Sequence, residues 1–145
     1  MVNPRKVYKL LQSLDEALDY LKKIASISWE DYSKDSLAQG AAKYYLQTSI
    51  EACIDIGNHI ISSESFRSPK DYREVFVILL ENEIISEEVA DIMSQMAGLR
   101  NRLVHLYWEI DESLIHLYLQ SNLTDLNRYS QLIIKFLEKH KDKDQ

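Results

Sequence analysis

Pro4-Arg5-Lys6-Val7-Tyr8-Lys9-Leu10-Leu11-Gln12-Ser13-Leu14-Asp15-Glu16-Ala17-Leu18-Asp19-Tyr20-Leu21-Lys22-Lys23-Ile24-Ala25 is the stretch whose reading decides the fold class. Val7, Leu10, Leu11, Leu14, Leu18, Leu21 and Ala25 recur at steps of three and four, which stacks them as one apolar stripe on a helix. Lys6, Asp15, Asp19, Lys22 and Lys23 fall on the other faces. Pro4 suits a helix start, where its missing N–H is not needed and its fixed φ is already helical. Ser26-Ile27-Ser28 breaks the pattern, and Ser28 is placed to cap a short turn, Trp29-Glu30-Asp31-Tyr32.

The same period continues downstream. A long central helix is predicted from about Ser36 to Ser62, with Leu37, Ala41, Tyr44, Tyr45, Thr48, Ala52, Ile56 and Ile60 on its apolar side, widened by Ile50, Cys53, Ile54 and Ile61. Ser68-Pro69 reads as the N-cap and first position of a third helix reaching about Leu80, with Val75, Phe76, Leu79 and Leu80 inward. Ser86-Glu87-Glu88 starts a fourth, with acidic residues where the helix dipole favours them and Val89, Ile92, Met93, Met96 and Leu99 as its stripe. Asp111 or Ser113 begins the last, with Leu114, Leu117, Leu126, Tyr129, Ile133, Phe136 and Leu137 inward and a break near Ser121-Asn122. No strand alternation occurs. The prediction is an all-α bundle of four to five helices forming one domain over residues 1–145, with a charged tail from Lys139 to Gln145 expected to fray.

Composition agrees. Only 3 Gly and 2 Pro interrupt 145 residues, which favours long helices and short loops. The single cysteine, Cys53, excludes an internal disulfide and a cysteine-based metal site. The 4 histidines are scattered without ligand spacing, so no metal is expected. No glycine-rich phosphate loop and no serine nucleophile motif occur, and no cofactor is expected. No apolar run approaches the roughly 20 residues that span a bilayer, and the start of the chain lacks a signal-peptide core, so a soluble cytoplasmic protein without membrane contact is expected. A net charge of -6 argues against avid, general nucleic-acid binding but leaves room for a few arginines gathered in one cleft.

The chemistry is concentrated in Arg100-Asn101-Arg102-Leu103-Val104-His105-Leu106-Tyr107. A guanidinium is permanently charged and its planar fork matches phosphate. Imidazole exchanges protons near neutral pH. Together they supply an anion clamp and a general acid/base, which suffices for phosphodiester cleavage without a metal. In a metal-independent ribonuclease a ribose 2′-hydroxyl attacks the adjacent phosphorus; there His105 could take that proton or return one to the leaving 5′-oxygen, and Arg100 would stabilise the added charge. Asn101 orients His105 or contacts substrate, and Arg102 reads as a solvated or salt-bridged residue. At roughly 100° per residue, Arg100 and His105 point about 140° apart, whereas Arg100 shares a face with Tyr107 and His105 with Asn101. Three arrangements remain open: the helix ends or bends between them, Arg100 reaches round, or Arg100 and His105 come from different chains. Glu51, Asp55 and Asn58 form a polar stripe on the central helix, read as a solvent face or as support for Arg100 or His105 in a cleft. His59 reads as incidental. Gly98 permits a close approach or loosens the helix just before the motif.

The order arginine, polar residue, three more, histidine, one more, tyrosine resembles the signature of the HEPN superfamily, and more narrowly that of the HepT-type toxins. Trp108-Glu109-Ile110-Asp111 and Leu123-Thr124-Asp125-Leu126 extend the likeness along the chain. The resemblance implies a HEPN-like bundle, a homodimer with the motif at the shared cleft, and a ribonuclease toxin acting on transfer or messenger RNA. It implies a partner as well, a minimal (MNT-type) nucleotidyltransferase antitoxin, with Tyr107 as the hydroxyl to which that partner attaches AMP. The alternative is a non-catalytic helical subunit that binds such a nucleotidyltransferase; a third is a purely structural bundle. Intact Arg100, His105 and Tyr107 argue against the non-catalytic subunit; the structural bundle would use Arg100 in an interface salt bridge.

Overall fold

A computed structural model describes residues 1–143, with side chains described through residue 141. Seven α-helices follow in order: α1 (Pro4–Ala25), α2 (Trp29–Tyr32), α3 (Ser36–Ser63), α4 (Tyr72–Glu81), α5 (Glu87–His105), α6 (Glu112–Ser121) and α7 (Leu123–Lys143); a 3-10 turn, Tyr107–Glu109, separates α5 from α6. No strand occurs among the described residues. The fold is the expected all-α bundle with two more helices than the upper count. The one-turn segment capped by Ser28 is helical, and the break at Ser121-Asn122 divides the last helix in two.

Side-chain caps set the starts. Asn3, Ser28, Asp35, Asp71, Ser86 and Asp111 each accept a hydrogen bond from a backbone N–H of the turn they begin. One start differs from the prediction: α4 begins at Tyr72, not at Ser68-Pro69. Asp71 caps Glu74 N–H at 2.9 Å, while the Glu74 carboxylate turns back to accept from Lys70 N–H at 3.1 Å and from Arg67 at 2.9 Å. That reciprocal cap outcompetes the serine upstream. At the other end, α7 stays helical through Lys143, so the part of the tail predicted to fray at 139–143 is helix, and residues 144–145 lie outside the described residues.

The core lies between α1 and α3, closed by α4, α5 and α7. Val7, Leu11, Leu14, Leu18 and Leu21 of α1 are buried against Leu46, Ile50, Cys53, Ile56 and Ile60 of α3. Leu37 and Tyr44, expected inside, are 85% and 61% exposed, because α3 turns Ala38, Ala42 and Leu46 inward instead. Leu117 is likewise exposed, with Ile115 and Leu119 carrying the inner face of α6. Tyr129 is fully buried; its hydroxyl donates to the Cys53 carbonyl at 2.8 Å and its ring meets Phe76 edge-on at 5.7 Å. Burial pushes the Cys53 thiol well above its ordinary range, so this cysteine is a packing residue.

Two glycines separate packing from propensity. A Cβ at Gly57 would collide with Val75 Cγ1 and lie 3.3 Å from Leu79 Cδ1, so α3 and α4 approach there as only glycine permits. A Cβ at Gly40 meets nothing within 4 Å. Gly40→Ala is therefore expected to stabilise the fold by about 0.5–1 kcal/mol. Gly57→Ala is expected to destabilise it by about 1–3 kcal/mol through overpacking. Urea unfolding of both variants checks the opposite signs.

Candidate functional site

The motif occupies the C-terminal end of α5. The helix is unbroken through His105, and Leu106 N–H closes its last turn on the Arg102 carbonyl at 2.8 Å. Leu106 leaves the helical region (φ -136°, ψ 34°), and the 3-10 turn presents Tyr107 and Trp108 to solvent, 62% and 67% exposed, with their rings edge-on at 5.6 Å. His105 is exposed at the last helical position.

Arg100 points elsewhere. Its Nε donates to Glu51 Oε1 at 3.3 Å, its Nη1 donates to Asn101 Oδ1 at 3.2 Å, and its guanidinium lies 5.0 Å from the centre of the Tyr72 ring. Glu51 is itself held by Gln47 Nε2 at 2.8 Å. Glu51, Ile54, Asp55, Tyr72 and Arg100 line a hollow of about 80 Å³ between α3, α4 and α5. Helical geometry and these contacts close the first of the three open arrangements, since α5 neither ends nor bends between Arg100 and His105. Within one chain Arg100 is anchored on the α3 side of α5, while Asn101 and His105 lie four apart along another face.

Of the polar stripe on α3, Glu51 and Asp55 share the hollow with Arg100. Burial and the neighbouring Glu51 raise the Asp55 pKa above its ordinary value, opposed by Lys6 and Arg100. Asn58 lies further along, in a cleft with Lys6, Asp55 and His59. His59 is not idle: its Nε2 accepts from Asn3 N–H at 3.0 Å, tying the start of α1 to α3. Burial, followed by Lys6 and the chain's amino terminus, lowers its pKa. Asn101 touches Arg100 rather than His105.

Two residues of this site were not read from the sequence. Gln47 stands at i, i+4 from Glu51, a spacing that pairs amide with carboxylate on a helix, and was legible in principle. Tyr72 was not, because only the packing of α4 beside α5 puts its ring against Arg100. Among the described residues, no group of three or more His, Cys, Asp or Glu stands where it could hold a metal ion, and no helix is long and apolar enough to cross a membrane.

The chain is 33% identical over 138 residues to a tRNA nuclease HepT of Aphanizomenon flos-aquae, covering 94% of this chain and 92% of that one. It is 32% identical over 102 residues to an mRNA nuclease HepT of Shewanella oneidensis, covering 70% and 77%. Its fold superposes with a TM-score of 0.83, at 26% identity, on a tri-AMPylated Shewanella oneidensis HEPN toxin in complex with its MNT antitoxin, over 89% of this chain and 96% of that chain. The family model described as Ribonuclease HepT-like matches residues 14–133. On that match and those identities, the chain belongs to the HepT-like ribonucleases.

Proposed function

We propose that this chain is the ribonuclease toxin of a toxin–antitoxin pair, cleaving RNA with Arg100 and His105 at a cleft shared by two copies and silenced when a partner nucleotidyltransferase attaches AMP to Tyr107. The observation that carries the reading is the division of the motif: His105 and Tyr107 are exposed beyond the end of the core, while Arg100 is held on a different face of the same unbroken helix. A two-fold dimer brings the arginine of one copy to the histidine of the other with no change in either helix.

In such a cleft the 2′-oxygen bonds to phosphorus as the bond from phosphorus to the 5′-oxygen breaks. One proton leaves the 2′-hydroxyl and one joins the departing oxygen, which leaves a 2′,3′-cyclic phosphate. His105 serves one of these transfers. Arg100, positioned by Glu51, Asn101 and Tyr72, stabilises the doubly charged oxygens of the transition state. No step calls for a metal. The Tyr107 hydroxyl is open to an incoming nucleotide, and an AMP placed there adds a bulky anion two residues from His105. The nucleases of Shewanella and Aphanizomenon carry names that specify messenger and transfer RNA, and those two remain the candidate substrates.

Glu51 and Asp55 support this cleft, while Asn58 faces the neighbouring one with Lys6 and His59. Glu51 orients Arg100; Asp55 adds a second carboxylate whose charge is poorly accommodated.

Three outcomes are expected. His105→Ala lowers cleavage of total RNA in excess chelator about 10²–10⁴-fold with an unchanged circular dichroism spectrum; unaltered cleavage would remove His105 from the mechanism. Mixing inactive Arg100→Ala and His105→Ala proteins restores about a quarter of parental activity, since half of the re-paired dimers carry one intact composite site. No recovery after verified subunit exchange would place both residues in one chain's site. Asp55→Asn raises the melting temperature only slightly, by about 1 °C at pH 7, because solvent at this exposed position screens most of the penalty. The sign follows from the raised pKa: an ionised Asp55 costs stability as pH rises through its folded value, so the gain must vanish once acid protonates it. Thermal melts at pH 7 and pH 3.5 check the difference.

A further inference from the structure

A pair of arginines lies on the opposite side of α5 from Arg100. Arg73 of α4 and Arg102 of α5 both line an open cleft of about 510 Å³, together with Gln95, Gly98, Asn101 and Tyr118. Gly98 explains how the cleft is built. A Cβ on that residue would stand 2.5 Å from Arg73 Nη2 and 3.3 Å from its Cζ, so the guanidinium reaches α5 where glycine leaves room. Arg67, Arg100 and Arg128 each hold a carboxylate, whereas neither Arg73 nor Arg102 is in an ion pair among the described residues. In a chain with 23 acidic and 17 basic side chains, two arginines that face one cleft without a carboxylate are a local concentration of positive potential.

The cleft also points somewhere. Asn101 and Arg102 stand three and four residues after Gly98, and His105 continues the same face one turn further. Seven residues of helix place Gly98 about 10 Å from His105 along the axis. We propose that this cleft is a second phosphate subsite, in which Arg73 and Arg102 grip the RNA backbone at a nucleotide flanking the scissile bond and lead the strand to His105. Tyr118 lies at its edge, where a base can stack on the ring. Arg102, exposed and solvated as expected, thus gains a substrate-binding role, and Gly98 becomes a requirement of Arg73's position. The subsite rests on the ribonuclease reading of the motif and deepens it.

The test measures equilibrium binding of a labelled single-stranded RNA of mixed sequence to the His105→Ala protein, which binds without cutting, across a salt series. Arg73→Gln and Arg102→Gln, each added to that background, are expected to weaken binding several-fold and to reduce the slope of log K against log salt by about 0.7 each. Gly98→Ala, which keeps both charges but displaces the Arg73 guanidinium, is expected to weaken binding without lowering the melting temperature, because alanine favours a helix interior. Arg128→Gln, on the Glu88 ion pair, is expected to leave the slope unchanged. In otherwise intact enzyme, Arg73→Gln is expected to raise KM for total RNA more than it lowers kcat. Unchanged slopes for both arginine variants, with RNA still cleaved by the parent protein that retains His105, would overturn the subsite and leave the ribonuclease intact. Loss of nucleotidyltransferase binding with RNA binding unaltered would also overturn it, and assign the cleft to the protein partner. A parent that neither binds nor cleaves RNA would overturn both readings.

Discussion

The continuity of α5 is the constraint on which the functional geometry depends. A helix turning about 100° per residue cannot bring side chains five apart to one place. Because α5 remains helical until Leu106, Arg100 and His105 are held apart with the stiffness of a hydrogen-bonded rod. The core sustains that rod: Met93, Met96, Ala97, Leu99 and Leu103 are buried on it, and α4 packs along its length. Arg100 is then fixed from a third direction by Glu51, so its orientation is a property of three helices and not of the motif.

The same rigidity sorts the polar residues of α5 by role. One face gives Arg100 to a small carboxylate-lined hollow, where its charge is oriented and partly compensated. Another carries Asn101, Arg102 and His105 beside Arg73, where no carboxylate intervenes. An acidic protein that acts on a polyanion has to keep such regions apart. The acidic excess lowers indiscriminate attraction, and a few arginines left without partners decide where a phosphate is welcome. Asp55 marks the tension, a carboxylate whose ionisation is resisted by burial and by Glu51 yet which sits within the field of Arg100.

Much of the fold was legible along the chain because its signals are local. Ser28 and Ser86 caps, the α1 stripe and the break at Ser121-Asn122 all depend on residues within a turn or two of one another. The errors share a cause. Leu37, Tyr44 and Leu117 have the right spacing for an inner face but stand at its margin, and which margin is covered depends on the neighbouring helix. Ser68-Pro69 is a plausible helix start, yet Asp71 with Glu74 makes the stronger one once Arg67 joins it.

The amino-acid sequence by itself determined the helical class and most helix starts, and it nominated residues for phosphodiester chemistry, since periodicity, capping and side-chain type are all written within short windows. Only the tertiary structure decided what those residues face. Glu51 and Arg100 are 49 positions apart, and Arg73 meets Gly98 only because α4 folds back beside α5. Such meetings follow from the packing of whole helices, and no local pattern encodes them.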